Sequence, residues 1–189
     1  MNRAQLDLTD ERVAEQSRNI TALIGVCIMN AILVIAYLIE VFKGARTIGS
    51  YAIVAACCIL PSLFAIMAYL QKKETITVRY ITSAGFSILY TYILFTSSTN
   101  LSFCYVIVIF VILAVYVDIK LSIVLGTYAV LVNIALTISK ALRAELSAKD
   151  ITDTEIMFAC LILTGVFTLM AHSKISKINR ANVERVGKE

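Results

Sequence analysis

Tryptophan is absent from this 189-residue chain, and proline and histidine occur once each, as Pro61 and His172. With seven glycines and none of them clustered, there is no phosphate-cradling loop, and neither an HExxH pair nor a nucleophile elbow occurs. His172 has no carboxylate or cysteine partner within its own segment. The acids avoid the middles of the apolar runs, where a proton-relay carboxylate would sit. These absences weigh against an enzyme and against a proton-coupled transporter, and no cofactor is expected. The five cysteines (Cys27, Cys57, Cys58, Cys104 and Cys160) all fall inside apolar stretches without metal-ligand spacing. Buried cysteine acts as a small apolar residue, so neither a disulfide framework nor a metal site is indicated.

What the chain has instead is apolar length. Hydrophobic residues make up 59% of it, and they gather into runs that match the roughly 20 residues needed to cross a bilayer. The pattern predicts an all-α, polytopic integral membrane protein. Six transmembrane helices are expected at about 20–41, 51–70, 80–98, 101–117, 121–138 and 156–172. Residues 1–19 form an N-terminal segment, 20–172 the six-helix bundle, and 173–189 a juxtamembrane helix. The connections are short, the longest being the seventeen residues of 139–155. They leave no room for a separate ligand-binding or catalytic domain.

A cleavable signal peptide is not expected, because four acids stand beside three arginines in the first nineteen residues. Thr9 reads instead as the cap of a short amphipathic helix, with Asp10 and Glu11 in its first turn. Lysine and arginine set the orientation. Twelve fall on the side of both termini and five on the other, which predicts cytoplasmic N- and C-termini in a bacterial inner membrane. The positive net charge then answers to anionic headgroups rather than to nucleic acid.

Several polar positions stand out. Pro61 sits in the centre of the second span and cannot donate to the carbonyl of Cys57; it is either a hinge or a kink satisfied by neighbouring helices. Asn30 and Asn133 lie deep and need partners, which interhelical hydrogen bonds would supply. Ser83, Ser87 and Thr91 form a stripe that suits close helix packing. Tyr37, Tyr51, Tyr90, Tyr92 and Tyr105 fall in the outer halves of four consecutive spans, with Glu40 at the same level. They read either as an interfacial aromatic belt or as a shallow pocket for a small amphipathic or cationic ligand. The candidate ligand-binding set is Tyr37, Glu40, Tyr90, Tyr92 and Tyr105.

The last helix is predicted to outrun the bilayer. Thr152 and Glu155 make a capping box, and nothing breaks the helix before Gly187. Roughly 34 residues span about 50 Å, against about 30 Å of hydrocarbon. The excess is amphipathic, with Ile175, Ile178, Val183 and Val186 on one face and Asn182 among them. It is expected either to pair in a coiled coil or to rest on the headgroups.

Six closely spaced spans followed by KISKINRANVERVGKE resemble the membrane region of bacterial methyl-accepting chemotaxis proteins. Histidine kinases and cyclic-dinucleotide synthases carry similar modules. The resemblance implies a sensory input module, a homodimer through the C-terminal helix, and output through a cytoplasmic signalling domain to a histidine kinase. Ile175, Ile178, Asn182 and Val186 would be its transmission face. The family's hairpin tip and methylation helices do not occur within the 189 residues. Two other readings stay open: a small carrier or channel complete in itself, and a structural subunit of a larger membrane complex.

Overall fold

The computed structural model describes the backbone of residues 3–97, 99–143 and 147–186, and the side chains of these residues except 3–10, 100, 148 and 179–186. Six α-helices follow one another: α1 (Arg3–Phe42), α2 (Ile48–Gln71), α3 (Thr77–Thr96), α4 (Cys104–Leu113), α5 (Ile119–Leu142) and α6 (Ala148–Val186). Short 3-10 turns flank α4, at Asn100–Phe103 and Ala114–Tyr116. No strand occurs among the described residues. Among the described residues, four helices are long and apolar enough to cross a membrane: α1, α2, α5 and α6. Their outer faces expose Ile28, Ile32, Phe64, Val124, Leu131 and Phe167. An apolar exterior on this scale suits lipid and would be a liability in water.

The two remaining predicted spans form helices but fall short of that standard. α3 opens on Thr-Val-Arg and carries six serine or threonine hydroxyls, which dilute its hydropathy. α4 has only ten α-helical residues.

The chain divides into two compact units, Met1–Ile93 and Leu94–Glu189, with the boundary inside α3. In the first unit, Leu23, Ala65 and Val78 form a core from α1, α2 and α3, flanked by Ile66, Tyr69 and Ile81. Thr9 lies inside α1 rather than at its start, so the N-terminal segment and the first span are one 40-residue helix of about 60 Å. α1 ends in a Schellman motif. Gly44 takes the left-handed conformation, its N–H donates to Val41, and the Ala45 N–H donates to Glu40. Thr47 then caps α2 by accepting from the Ser50 N–H at 3.2 Å. At the other end, fully buried Asn19 donates both amide hydrogens into the α2–α3 loop, to the carbonyls of Lys73 and Thr75 at 2.9 Å each.

Pro61 does not interrupt α2, which runs on to Gln71. Polar contacts gather on the next carbonyl along, that of Cys58. Asn30 of α1 donates to the Cys58 carbonyl at 3.1 Å and to the Ser62 hydroxyl at 2.9 Å, and Ser62 itself donates to the Cys58 carbonyl. From α3, Gly85 packs against the proline ring so closely that an added Cβ would lie 2.3 Å from the Pro61 Cβ. The Ser83, Ser87 and Thr91 hydroxyls bond carbonyls one turn back in α3 itself.

In the second unit, α5 buries the stripe Leu121, Leu125, Ala129 and Asn133, each four residues apart on one helix face. Asn133 donates to the Ala129 carbonyl at 2.7 Å. The start of α6 differs from the expectation. The capping box is formed by Ser147 and Asp150, with the Asp150 N–H on the Ser147 hydroxyl at 3.2 Å and the Ser147 N–H on the Asp150 carboxylate at 3.0 Å. Thr152 and Glu155 therefore lie within the helix. Two cap signals compete here, and the earlier one adds a turn of helix.

Candidate functional site

The predicted ligand-binding residues separate into three settings. The Schellman turn brings the chain back over the end of α1, and this places Arg46 against two of them. Its guanidinium pairs with the Glu40 carboxylate and lies over the Tyr37 ring, 4.6 Å from the centroid. Tyr37 is buried, and Arg46 is largely so. The aromatic face and carboxylate that would attract a cation thus already hold one from the same chain. Sequence spacing shows Arg46 only as a loop charge; its role depends on the turn that Gly44 permits.

Tyr92 hydrogen-bonds the Ser50 hydroxyl at 3.3 Å, joining the end of α3 to the start of α2. Tyr90 is fully buried and stacks on Phe86 with centroids 5.6 Å apart. Tyr105 opens α4 in the second unit.

Of the expected transmission residues, Ile175 and Ile178 lie on α6 and are 40% and 58% exposed, so neither is buried. Asn182 lies within α6, and Val186 is its last residue; both side chains fall outside the described set. The helix itself is unbroken over 39 residues, or about 58 Å.

At the point where α6 leaves its apolar stretch stands a polar junction that the sequence does not announce. His172 is buried, and its Nδ1 lies 3.1 Å from the Ser122 hydroxyl of α5. Ser122 in turn donates to the Asp118 backbone carbonyl at 3.0 Å. Asp118 caps α5 through its side chain, accepting from the Leu121 N–H at 3.1 Å. Before it comes Val117 at φ 51°, a β-branched residue in the left-handed region, where such side chains are strained. The partners of His172 come from another helix fifty residues away, which explains why its own segment shows none. A serine next to a histidine can make a nucleophile; here both side chains are buried.

Cavities open elsewhere on the helices, two of them as follows. A lateral groove of about 380 Å³ between α1 and α2 is walled by Cys27, Val34, Ile35 and Ile59, with Asn30 and Ser62 as its polar members. In the second unit a cleft of about 690 Å³ lies at the head of α6, lined by Leu101, Phe103, Lys149, Asp150 and Asp153 among others. Among the described residues no cluster of histidine, cysteine and carboxylates could hold a metal ion.

Comparison of the chain with protein-family models, curated proteins and solved structures finds no match in any of the three.

Proposed function

We propose that this chain is the membrane-embedded input module of a transmembrane signalling receptor, with α6 as the element that carries the signal out of the bilayer. The observation that carries this reading is α6 itself. It is a single helix about twice as long as the hydrocarbon core is thick, and it exposes Ile175 and Ile178 beyond its apolar stretch. A two-stranded coiled coil would bury them at its seam, whereas a helix resting on the headgroups would bury them in the interface without a partner helix. A stimulus acting on the outer half of the helices shifts, rotates or tilts α6, and the paired stalks pass that movement to a cytoplasmic output domain.

Two places offer polar groups for an input. One is the Tyr37–Glu40–Arg46 cluster, where a ligand cation would compete with the guanidinium. The other is the cleft at the head of α6, where any occupant touches the first turns of the transmitting helix. In this reading all six helices cross a bacterial inner membrane and both termini are cytoplasmic. The resemblance to methyl-accepting chemotaxis proteins supplies the expected output, a receptor-bound histidine kinase. That resemblance rests on architecture and on the stalk, and the reading expects heptad-bearing helix beyond the stalk.

The test is crosslinking in native membranes. Cysteines at 175 or 178 of the full-length protein should form symmetric disulfide dimers at a yield well above that of a cysteine on the opposite face, at 177. Equal yields on both faces would remove the coiled-coil stalk. Solute flux into proteoliposomes holding this chain alone would replace the receptor with a carrier.

A further inference from the structure

We propose that the first unit binds a phospholipid headgroup bearing both a phosphate and a primary ammonium, of the phosphatidylethanolamine type, where α1 meets the α2–α3 loop. A cavity of about 390 Å³ opens there, within the usual size of a small-ligand site. Its lining includes Glu11, Arg12, Glu15 and Arg18 from α1, Glu74 from the loop and Arg79 from α3. The walls are fixed to one another. Glu11, Glu15 and Arg18 are spaced i, i+4, i+7, and Arg12 stands three before Glu15, so all four share one face of α1. Next to Arg18, the buried Asn19 donates to the carbonyls of Lys73 and Thr75, which flank Glu74. Val78, beside Arg79, is buried in the core with Leu23 and Ala65.

Charge selects the occupant. Guanidiniums and carboxylates are equally represented around one small volume. A lone anion meets the carboxylates at close range and a lone cation meets the guanidiniums, and either approach is repulsive. A group with both signs a few bonds apart meets its complement at each end. Arginine suits the phosphate, which it can bind through two N–H groups at once. Glu15 asks for the cationic end. Its side chain is 16% exposed, and Oε2 accepts from Arg18 at 3.4 Å, longer than the roughly 2.7–2.9 Å of a good charge-assisted bond. Oε1 is buried and has no hydrogen-bond partner among the described residues. A carboxylate held this loosely out of water is costly, and a primary ammonium seated against it brings three N–H donors.

The position suits a lipid. The apolar run of α1 begins at Ile20, and Arg18 and Glu15 precede it by about 3 and 7.5 Å along the helix. That matches a headgroup layer of about 5–7.5 Å on each side of the hydrocarbon. Ile76, on the cavity wall, is exposed, and so is Tyr80, whose ring centroid lies 5.7 Å from the Arg79 guanidinium. They give the acyl chains an apolar way out at the level where tyrosine favours the interface. The site requires only that α1 enters the bilayer here, so it stands apart from the receptor reading.

The experiment uses the full chain, delipidated in mild detergent, with retained lipid counted by native mass spectrometry. Phosphatidylethanolamine, phosphatidylcholine and phosphatidylglycerol of the same acyl chains are offered at equal concentration. Phosphatidylcholine keeps both charges but has no N–H on its ammonium, and phosphatidylglycerol keeps only the phosphate. Phosphatidylethanolamine should be retained about tenfold above either, the worth of one charge-assisted hydrogen bond. Glu15→Gln should erase the preference over phosphatidylcholine. Arg12→Ala combined with Arg18→Ala should lower retention of all three lipids, while Lys43→Ala, just past the far end of α1, should change nothing. If Glu15→Gln loses helicity by circular dichroism, Glu74→Gln replaces it and should reduce the same preference. Equal retention of the three lipids overturns the proposal, and so does a preference for phosphatidylethanolamine that survives the glutamine variant. Stronger retention of phosphatidylglycerol, or displacement of phosphatidylethanolamine by millimolar inorganic phosphate, would make the cavity a plain anion site and overturn it equally.

Discussion

At the residue scale, the first unit is held by a few polar contacts that are costly to lose because nothing nearby replaces them. Asn19 is the clearest. Its two donated hydrogen bonds satisfy loop carbonyls that α2 and α3 cannot serve. Asn19→Ala should destabilise the fold by about 1–3 kcal/mol, seen as a lower denaturation midpoint by circular dichroism in micelles. Asn19→Asp, which offers acceptors where donors are needed, should be no better. Two glycines make a sharper pair because they predict opposite signs. Gly85 has the Pro61 ring 2.3 Å from where a Cβ would sit, and a proline ring cannot rotate away. Gly85→Ala should therefore push α2 and α3 apart, at a cost of roughly 1–3 kcal/mol. Gly165 has nothing within 4 Å, so Gly165→Ala should gain up to about 1 kcal/mol of helix propensity. Melting both variants beside the parent settles the comparison; equal shifts would mean that the Pro61–Gly85 crossing is not tight. None of these roles is legible from spacing. The sequence marks Pro61 and Asn30 as residues needing partners, but which helix answers depends on packing between residues distant in the chain.

At the scale of elements, the apolar periods foretell the helices well and their ends poorly. All six predicted spans lie largely within helical segments, because a run of about 20 apolar residues has few other ways to satisfy its backbone. The ends turn on which of several local signals wins. Thr152–Glu155 and Ser147–Asp150 both have the spacing of a capping box, and the structure uses the second. The unused signal nevertheless has a consequence. Ser147→Ala removes one cap at a cost of about 1 kcal/mol, and Thr152 stands ready to restart the helix one turn later. The expected result is local: faster amide exchange at residues 149–151, with protection from 156 onward unchanged. Loss of protection along the whole of α6 would instead show that the Ser147 cap holds the entire helix. The same reasoning explains the misread start of α1. Thr9 has acids after it, but leucine and glutamine before it continue a helix readily, and the chain extends back to Arg3.

At the scale of the whole molecule, the open physical question is how many helices cross the membrane, and the two termini cannot answer it. Six spans, or the four long helices alone, are both even numbers and put both termini on one side. The discriminating position is the connection between α3 and α4. If both helices cross, Thr99 lies on the side opposite the termini; if neither does, it stays on the same side as Lys73. The lengths favour crossing. α3 has 20 residues, or about 30 Å. The segment from Asn100 to Tyr116 gains reach because its two 3-10 turns rise about 2 Å per residue, so ten α-helical and seven 3-10 residues extend to about 29 Å when coaxial. Each matches the roughly 30 Å hydrocarbon core without surplus. Neither α1 nor α6 is so limited, which is why only those two can carry stalks. In a background without the native cysteines, Thr99→Cys in intact spheroplasts should react with a membrane-impermeant maleimide, and Lys73→Cys only after permeabilisation. Thr99→Cys that likewise needs permeabilisation would reduce the bundle to four spans and lay α3 and α4 along the inner leaflet. The cleft at the head of α6 would then lose Thr99, Leu101 and Phe103 from its wall, and an input from outside would have to enter through the four long helices.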